Sequence, residues 1–175
     1  AALEAAALCE GLGHHVEEAK PGANGERFGA FFTSIWVAMV AWMIRDWSRR
    51  TGVTPTKELF ELHTWKMFEV DSKRRPSDLL LAIQDMHAFA REVAPFFELY
   101  DLWLTPTMIQ PPVPIGYFDF NPDVPRQSTE RMETIPRFTA PANVTGQPGI
   151  SLPLHWNDDN LPIGVHLISV ETALE

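Results

Sequence analysis

Six histidines offer the most versatile chemistry in this chain, since imidazole both binds metals and moves protons near neutral pH. They are His14, His15, His63, His87, His155 and His166. None lies in a His-Glu-x-x-His pattern or in a Cys/His cluster, so the ligand spacing of a metal site is missing and no metal is expected. A phosphate cradle is missing too. There is no Gly-x-x-x-x-Gly-Lys, and no Gly-x-Gly-x-x-Gly after a strand, so no nucleotide or other cofactor is expected. Ser151 stands in Pro148-Gly149-Ile150-Ser151-Leu152-Pro153 without the Gly-x-Ser-x-Gly elbow that presents a nucleophile. In an alternating strand it simply faces away from Ile150 and Leu152. Cys9, the single cysteine, sits on an Ala-rich segment with nothing nearby to lower its pKa, and reads as a small packed residue. Asn143-Val144-Thr145 matches a glycosylation sequon, read as chance without a secretory leader. Taken alone, these types and spacings hold no catalytic constellation.

The elements that would position such residues divide by proline usage. Four of the 15 prolines fall in residues 1–100 and 11 after Asp101. Proline removes a backbone donor and fixes φ, so the first part is expected to be mostly helical and the second short strands and ordered loops. Residues 1–12 read as a helix stopped by Gly11 and Gly13, followed by a short strand at His15-Val16-Glu17. Phe28 to Ile44 contains no charge over 17 residues. As a helix that run is roughly 25 Å long against a bilayer core of about 30 Å, so a helix buried on most sides is expected rather than a membrane span. Arg45, Asp46, Arg49 and Arg50 extend it. A further helix opens at Thr54-Pro55 or Thr56, with Glu58 in its first turn, and carries Leu59, Leu62, Trp65 and Phe68 to about Val70. Pro76-Ser77 opens another, with Leu79, Ile83, Met86, Ala90, Val93 and Phe97 as one apolar stripe that Pro95 thins near its end. Leu102-Trp103-Leu104 suits a strand buried on both faces. Residues 106–136 read as a long ordered loop. Ile150, Leu152 and Leu154, then Ile163, Val165 and Leu167, alternate as two strands joined by a turn at 155–160. The fold class is α/β, a mixed β-sheet flanked by helices.

Composition bounds the function. Of the 175 residues 45% are hydrophobic, and 14 Lys and Arg stand against 23 Asp and Glu, a net charge of −9. This suits one soluble globular domain over 1–175, helical to about residue 100, then strands and loops to about 170. An acidic balance disfavours nucleic acid, which needs a basic face, and the marginal apolar run disfavours a membrane partner. One cysteine and no visible secretory leader point to the cytoplasm.

Three segments in the last part carry a resemblance. Asp101-Leu102-Trp103-Leu104-Thr105-Pro106-Thr107 with Pro111-Pro112-Val113-Pro114-Ile115-Gly116, then Phe138 to Leu154 through Thr139-Ala140-Pro141-Ala142-Asn143-Val144-Thr145-Gly146-Gln147, then Leu161-Pro162-Ile163-Gly164-Val165-His166-Leu167-Ile168, resemble in order the late segments of amidase-signature enzymes. Ala5 to Ala19 is similar to that family's first helix and strand after the catalytic core. Thr64-Trp65-Lys66-Met67 resembles the branch that includes the 6-aminohexanoate cyclic-dimer hydrolase.

The resemblance implies a serine amidase acting through a Ser–cis-Ser–Lys triad on small, apolar amides. In that family the lysine and a Gly-Gly-Ser-Ser stretch precede everything matched here. Lys20, Lys57, Lys66 and Lys73 stand in no such motif and the chain has no Gly-Gly-Ser-Ser, so the triad is expected outside it and no catalytic residue is assigned. The missing Met, and a tail from Ser169 to Glu175 too short for the family's last helices, make a C-terminal portion expected, with the N-terminal catalytic portion as its partner and a homo-oligomer as an option. Trp36, Trp65, Thr139 and Asn143 are the substrate-pocket candidates. Against that stands packing: Trp36, Trp42 and Trp65 as core aromatics, and Thr139 and Asn143 holding their loop by side-chain-to-backbone hydrogen bonds. The other functional reading is an amidase-like binding or interaction module without chemistry.

Overall fold

The computed structural model describes residues 1–169, the side chains of Pro125, Arg126 and Glu133 excepted; the end of the tail considered above lies outside them. In chain order the elements are α1 (Ala2–Gly11), α2 (Phe28–Thr51), α3 (Leu62–Asp71), α4 (Pro76–Val93), β1 (Leu102–Pro106), α5 (Pro125–Thr134), α6 (Ala140–Thr145), β2 (Gly149–Trp156) and β3 (Pro162–Ser169). They form two compact units, Ala1–Gly22 with Glu92–Glu175, and Ala23–Arg91. The first helix thus groups with the strands.

The first unit is built on a three-stranded antiparallel sheet in the order β1-β3-β2. The central strand β3 pairs Leu102↔Ser169 to Pro106↔Val165 on one side, and Gly149↔Ile168 to Trp156↔Pro162 on the other. The β2 register shifts between Leu152 and His155, at Pro153, where a proline without an N–H breaks the ladder on an edge strand. Val165 and Ile168 on β3 are fully buried, as the middle of the sheet requires. β1 is not buried on both faces among the described residues: it is an edge, and Leu102 is half exposed. α1 lies along this unit, burying Ala5 and holding Glu4 Oε2 2.7 Å from His155 Nδ1. No strand forms at His15–Glu17, since a strand exists only by pairing and this segment finds no neighbour among the described strands. Glu17 instead accepts a hydrogen bond from the Tyr100 hydroxyl at 2.5 Å. Two short helices interrupt segments expected to be loop. α5 begins with proline in its first turn, and α6 ends at Gly146 with φ 75°, the left-handed conformation glycine adopts without strain. The polar α5 sequence has no apolar stripe, which left it illegible to periodicity.

The second unit is helical. α2 runs seven residues beyond Ile44 and stops at Gly52, also left-handed with φ 72°. It buries one face only, Phe31, Val37, Ala41 and Ile44, while Trp36, Met39, Trp42, Met43 and Trp47 stay exposed. The helix buried on most sides is therefore corrected: positions three and four apart share a face, and only one face of α2 meets a neighbour here. By length and composition α2 could cross a bilayer, a test that core helices of soluble proteins also pass. The helix expected from Glu58 begins instead at Leu62. Lys57–Leu59 make a single 3-10 turn and Phe60 is extended, which puts its ring between Trp47 (5.7 Å) and Trp65 (6.1 Å). Arg45 on α2 reaches Asp71 on α3 at 2.6 Å. α4 ends at Val93 and passes into a 3-10 segment with Pro95 in its first turn, as the missing N–H demands.

Candidate functional site

The three motif segments interlock across β3. Thr107, one residue beyond β1, donates its N–H to the Gly164 carbonyl at 3.1 Å. From the other side Ser151 on β2 arrives, and the Thr107 and Ser151 hydroxyl oxygens lie 2.6 Å apart. A Cβ on Gly164 would stand 2.6 Å from each oxygen and 3.1 Å from Thr107 Cβ. Glycine is needed here because two side chains meet over its backbone. The same holds one register step along, where a Cβ on Gly149 would stand 2.7 Å from His166 Nε2. The glycines of the second and third segments thus make room for polar side chains of neighbouring strands.

This clasp is structural chemistry. Ser151 Oγ is engaged by Thr107 and not by an imidazole, so the pair lacks the base that activates a serine. His166 faces the same side of the sheet, paired with Thr105 and Ser151, and is nearly buried. Its Nδ1 and Thr105 Oγ1 have no hydrogen-bond partner among the described residues. Burial pushes the His166 pKa below the ordinary imidazole value of 6.5, and His63 shifts the same way, through burial opposed by Glu61. As pH falls, the unfolded chain takes up these protons before the folded one does. Their stabilisation is complete above 6.5 and is lost as pH drops below it. The urea midpoint is therefore expected to fall between about pH 7.5 and about pH 5.5, and to fall less in His166→Gln. An equal fall in both proteins would contradict this.

The loop entering β2 is held by its own side chains. Thr139 donates its hydroxyl to the Pro136 carbonyl at 3.0 Å, just before α6. Asn143 is exposed, and among the described residues its backbone N–H is engaged by the Thr139 carbonyl at 3.4 Å while its side chain makes no hydrogen bond. Thr145 supplies the contact expected of Asn143, its hydroxyl lying 3.0 Å from the Pro141 carbonyl and 2.8 Å from Gln147 Oε1, while Gln147 Nε2 donates to the Ser169 carbonyl at 3.2 Å. The quoted motif contained Thr145 and Gln147. Their roles needed β3 in place, 22 residues away from Gln147 in sequence.

In the helical unit, Trp65 lines an open groove of about 430 Å3 with Phe60, Leu62 and the charged residues Lys57, Glu58, Lys66 and Glu69. The indole ring stacks on Phe60 and its N–H donates to Glu69 Oε1 at 2.9 Å, which fixes its rotamer. Trp36, 47% exposed, stacks on Phe32 on α2. Neither Trp36 nor Trp42 is a core residue among the described contacts; both present apolar surface. Trp36 and Trp65 thus belong to one unit, Thr139 and Asn143 to the other.

Residues 1–173 match the model of the Amidase family. The Mycobacterium tuberculosis protein AmiC is 33% identical over 99% of this chain and 36% of its own length. The 6-aminohexanoate-cyclic-dimer hydrolase of Paenarthrobacter ureafaciens is 30% identical over 97% of this chain and 36% of its own. The structure of 6-aminohexanoate cyclic dimer hydrolase complexed with substrate superposes with a TM-score of 0.86 at 29% identity, covering 96% of this chain and 36% of that one. A bacterial aryl acylamidase shares the fold, with a TM-score of 0.73 at 15% identity. The chain spans about a third of the length of these relatives. The helices and the small antiparallel sheet of this chain agree with an α/β fold of the kind these enzymes share. The chain belongs to the amidase family.

Proposed function

We propose that the complete protein is a serine amidase that hydrolyses the carbon–nitrogen bond of small, apolar amides. The observation that carries this reading is the match to the 6-aminohexanoate cyclic dimer hydrolase, which extends over 96% of the chain. A Ser–cis-Ser–Lys triad supplied by residues outside these 175 would do the chemistry. The lysine would draw a proton through the second serine from the nucleophile, and backbone N–H groups would hold the oxyanion. This chain alone would be inactive and would contribute substrate-facing walls. Trp65 and Phe60 support the apolar preference, because a stacked aromatic face with a fixed rotamer offers contact area at little entropic cost. The exposed apolar residues of α2 in one unit, and Ile150, Leu154 and Trp156 of β2 in the other, are surfaces on which the remaining protein would close. The enzyme would be cytoplasmic and would need no cofactor, membrane or nucleic acid.

The test is to incubate the complete protein with a panel of small amides and follow release of the carboxylic acid. Hydrolysis favouring apolar substrates and blocked by a serine-directed sulfonyl fluoride is expected. Trp65→Ala should raise KM for apolar amides about tenfold, with kcat little changed. A complete protein that hydrolyses no amide would overturn the reading and leave a binding module.

A further inference from the structure

Charge is distributed unevenly over this acidic chain. Residues 23–91 hold ten of the 14 Lys and Arg but eight of the 23 Asp and Glu, a net +2, which leaves −11 for the rest and the total of −9. Within this helical unit, a cleft of about 260 Å3 is lined by Arg45, Arg74 and Arg75, with Asp71, Ser34 and Ser72. Three arginines thus share the lining with one carboxylate, Asp71.

The three arginines are not equivalent. Arg45 is fixed: Nη1 lies 2.6 Å from Asp71 Oδ2, and the guanidinium carbon sits 5.2 Å from the centre of the Phe68 ring. Arg75 is loosely tied to Asp78 at 3.4 Å and is largely exposed. Arg74 is half-buried, and its guanidinium has no hydrogen-bond or ion-pair partner among the described residues. A guanidinium cannot shed its charge, and its planar fork suits two oxygens of one anion. The hydroxyls offer such an anion nothing: Ser34 donates to the Ala30 carbonyl at 2.8 Å and Ser72 to the Glu69 carbonyl at 2.7 Å. The start of α4 is also answered, since Asp78 Oδ2 accepts the Arg75 N–H at 3.0 Å. Recognition falls to the arginines.

We infer that this cleft binds a small oxyanion, a phosphate- or carboxylate-bearing molecule, with Arg74 as the forked donor and Arg45 and Arg75 completing the positive field. The site stands independently of the amidase reading.

Calorimetric titration of the protein with inorganic phosphate, and separately with acetate, at matched low ionic strength tests it. One saturable site is expected. Arg74→Ala should weaken binding about tenfold or more, the worth of one hydrogen bond to a charged group. Arg74→Lys keeps the charge but loses the fork and should fall between. Arg91→Ala, an exposed arginine on the last turn of α4, should bind as the parent does. Circular dichroism checks that each variant is folded, and if Arg74→Ala is not, Arg74→Lys carries the comparison. Saturation by phosphate alone assigns a phosphate-bearing ligand, and by acetate alone a carboxylate-bearing one. No saturable binding of either, or binding unchanged in both Arg74 variants, would overturn the site.

Discussion

Replacing Ile168 with alanine is expected to destabilise the protein by about 2–5 kcal/mol, the largest effect of any single change considered. Ile168 is fully buried on the central strand, beside Trp103 of β1 in the ladder and opposite Gly149 of β2. Gly149 has no side chain to relax into the space, so the lost methyl and methylene groups leave a cavity instead of a repacked contact. Urea unfolding should show a lower midpoint with an unchanged slope. The edge residue Leu102 on β1, 52% exposed, is the internal comparison: Leu102→Ala should change the midpoint far less. Equal effects at the two positions would mean that β3 is not the centre of the folding unit.

A second large effect is expected at Gly164. Alanine there is favoured by strand propensity, yet its Cβ would meet both hydroxyl oxygens at 2.6 Å and Thr107 Cβ at 3.1 Å. One hydroxyl could turn away only by breaking its 2.6 Å bond to the other. The cost should be about 1–3 kcal/mol, typical of an extra methyl in a filled site. A double-mutant cycle separates crowding from strand propensity. In a Ser151→Ala background one obstructing oxygen is gone, so Gly164→Ala should cost clearly less than in the parent. The same cost in both backgrounds would remove the clasp as the reason for glycine.

Much of this architecture was legible before the structure. Helices α1, α2 and α4 follow from composition, caps and a period of three to four, and their observed ends lie close to the Gly and Pro residues that announce them. β2 and β3 follow from alternation. What periodicity misread, it misread for definite reasons. Ile163, Val165 and Leu167 form one face of β3, but Ile168 is as buried as Val165 because β3 is central and covered on both faces. Its own face reads Gly164, His166, Ile168, which does not announce itself as apolar. α5 carries few apolar residues, α6 at six residues is too short to show a helical period, and the Glu58 start failed because Phe60 is drawn into an aromatic contact with Trp47 on α2.

By itself the sequence determined the class, the longer helices, the strands β1 to β3 and the family, because composition, caps and linked motifs are local properties written along the chain. The tertiary structure alone decided which motif residues act. Thr107 and Ser151 lie 44 positions apart, and their hydroxyls meet over Gly164 only once β3 lies between β1 and β2. Arg74, in the turn between α3 and α4, becomes a candidate anion donor because it shares a cleft with Arg45 of α2, which pairs with Asp71, while its own guanidinium has no partner among the described residues. Those outcomes depend on distances of a few ångströms between segments remote in sequence, and no spacing rule along one segment encodes them.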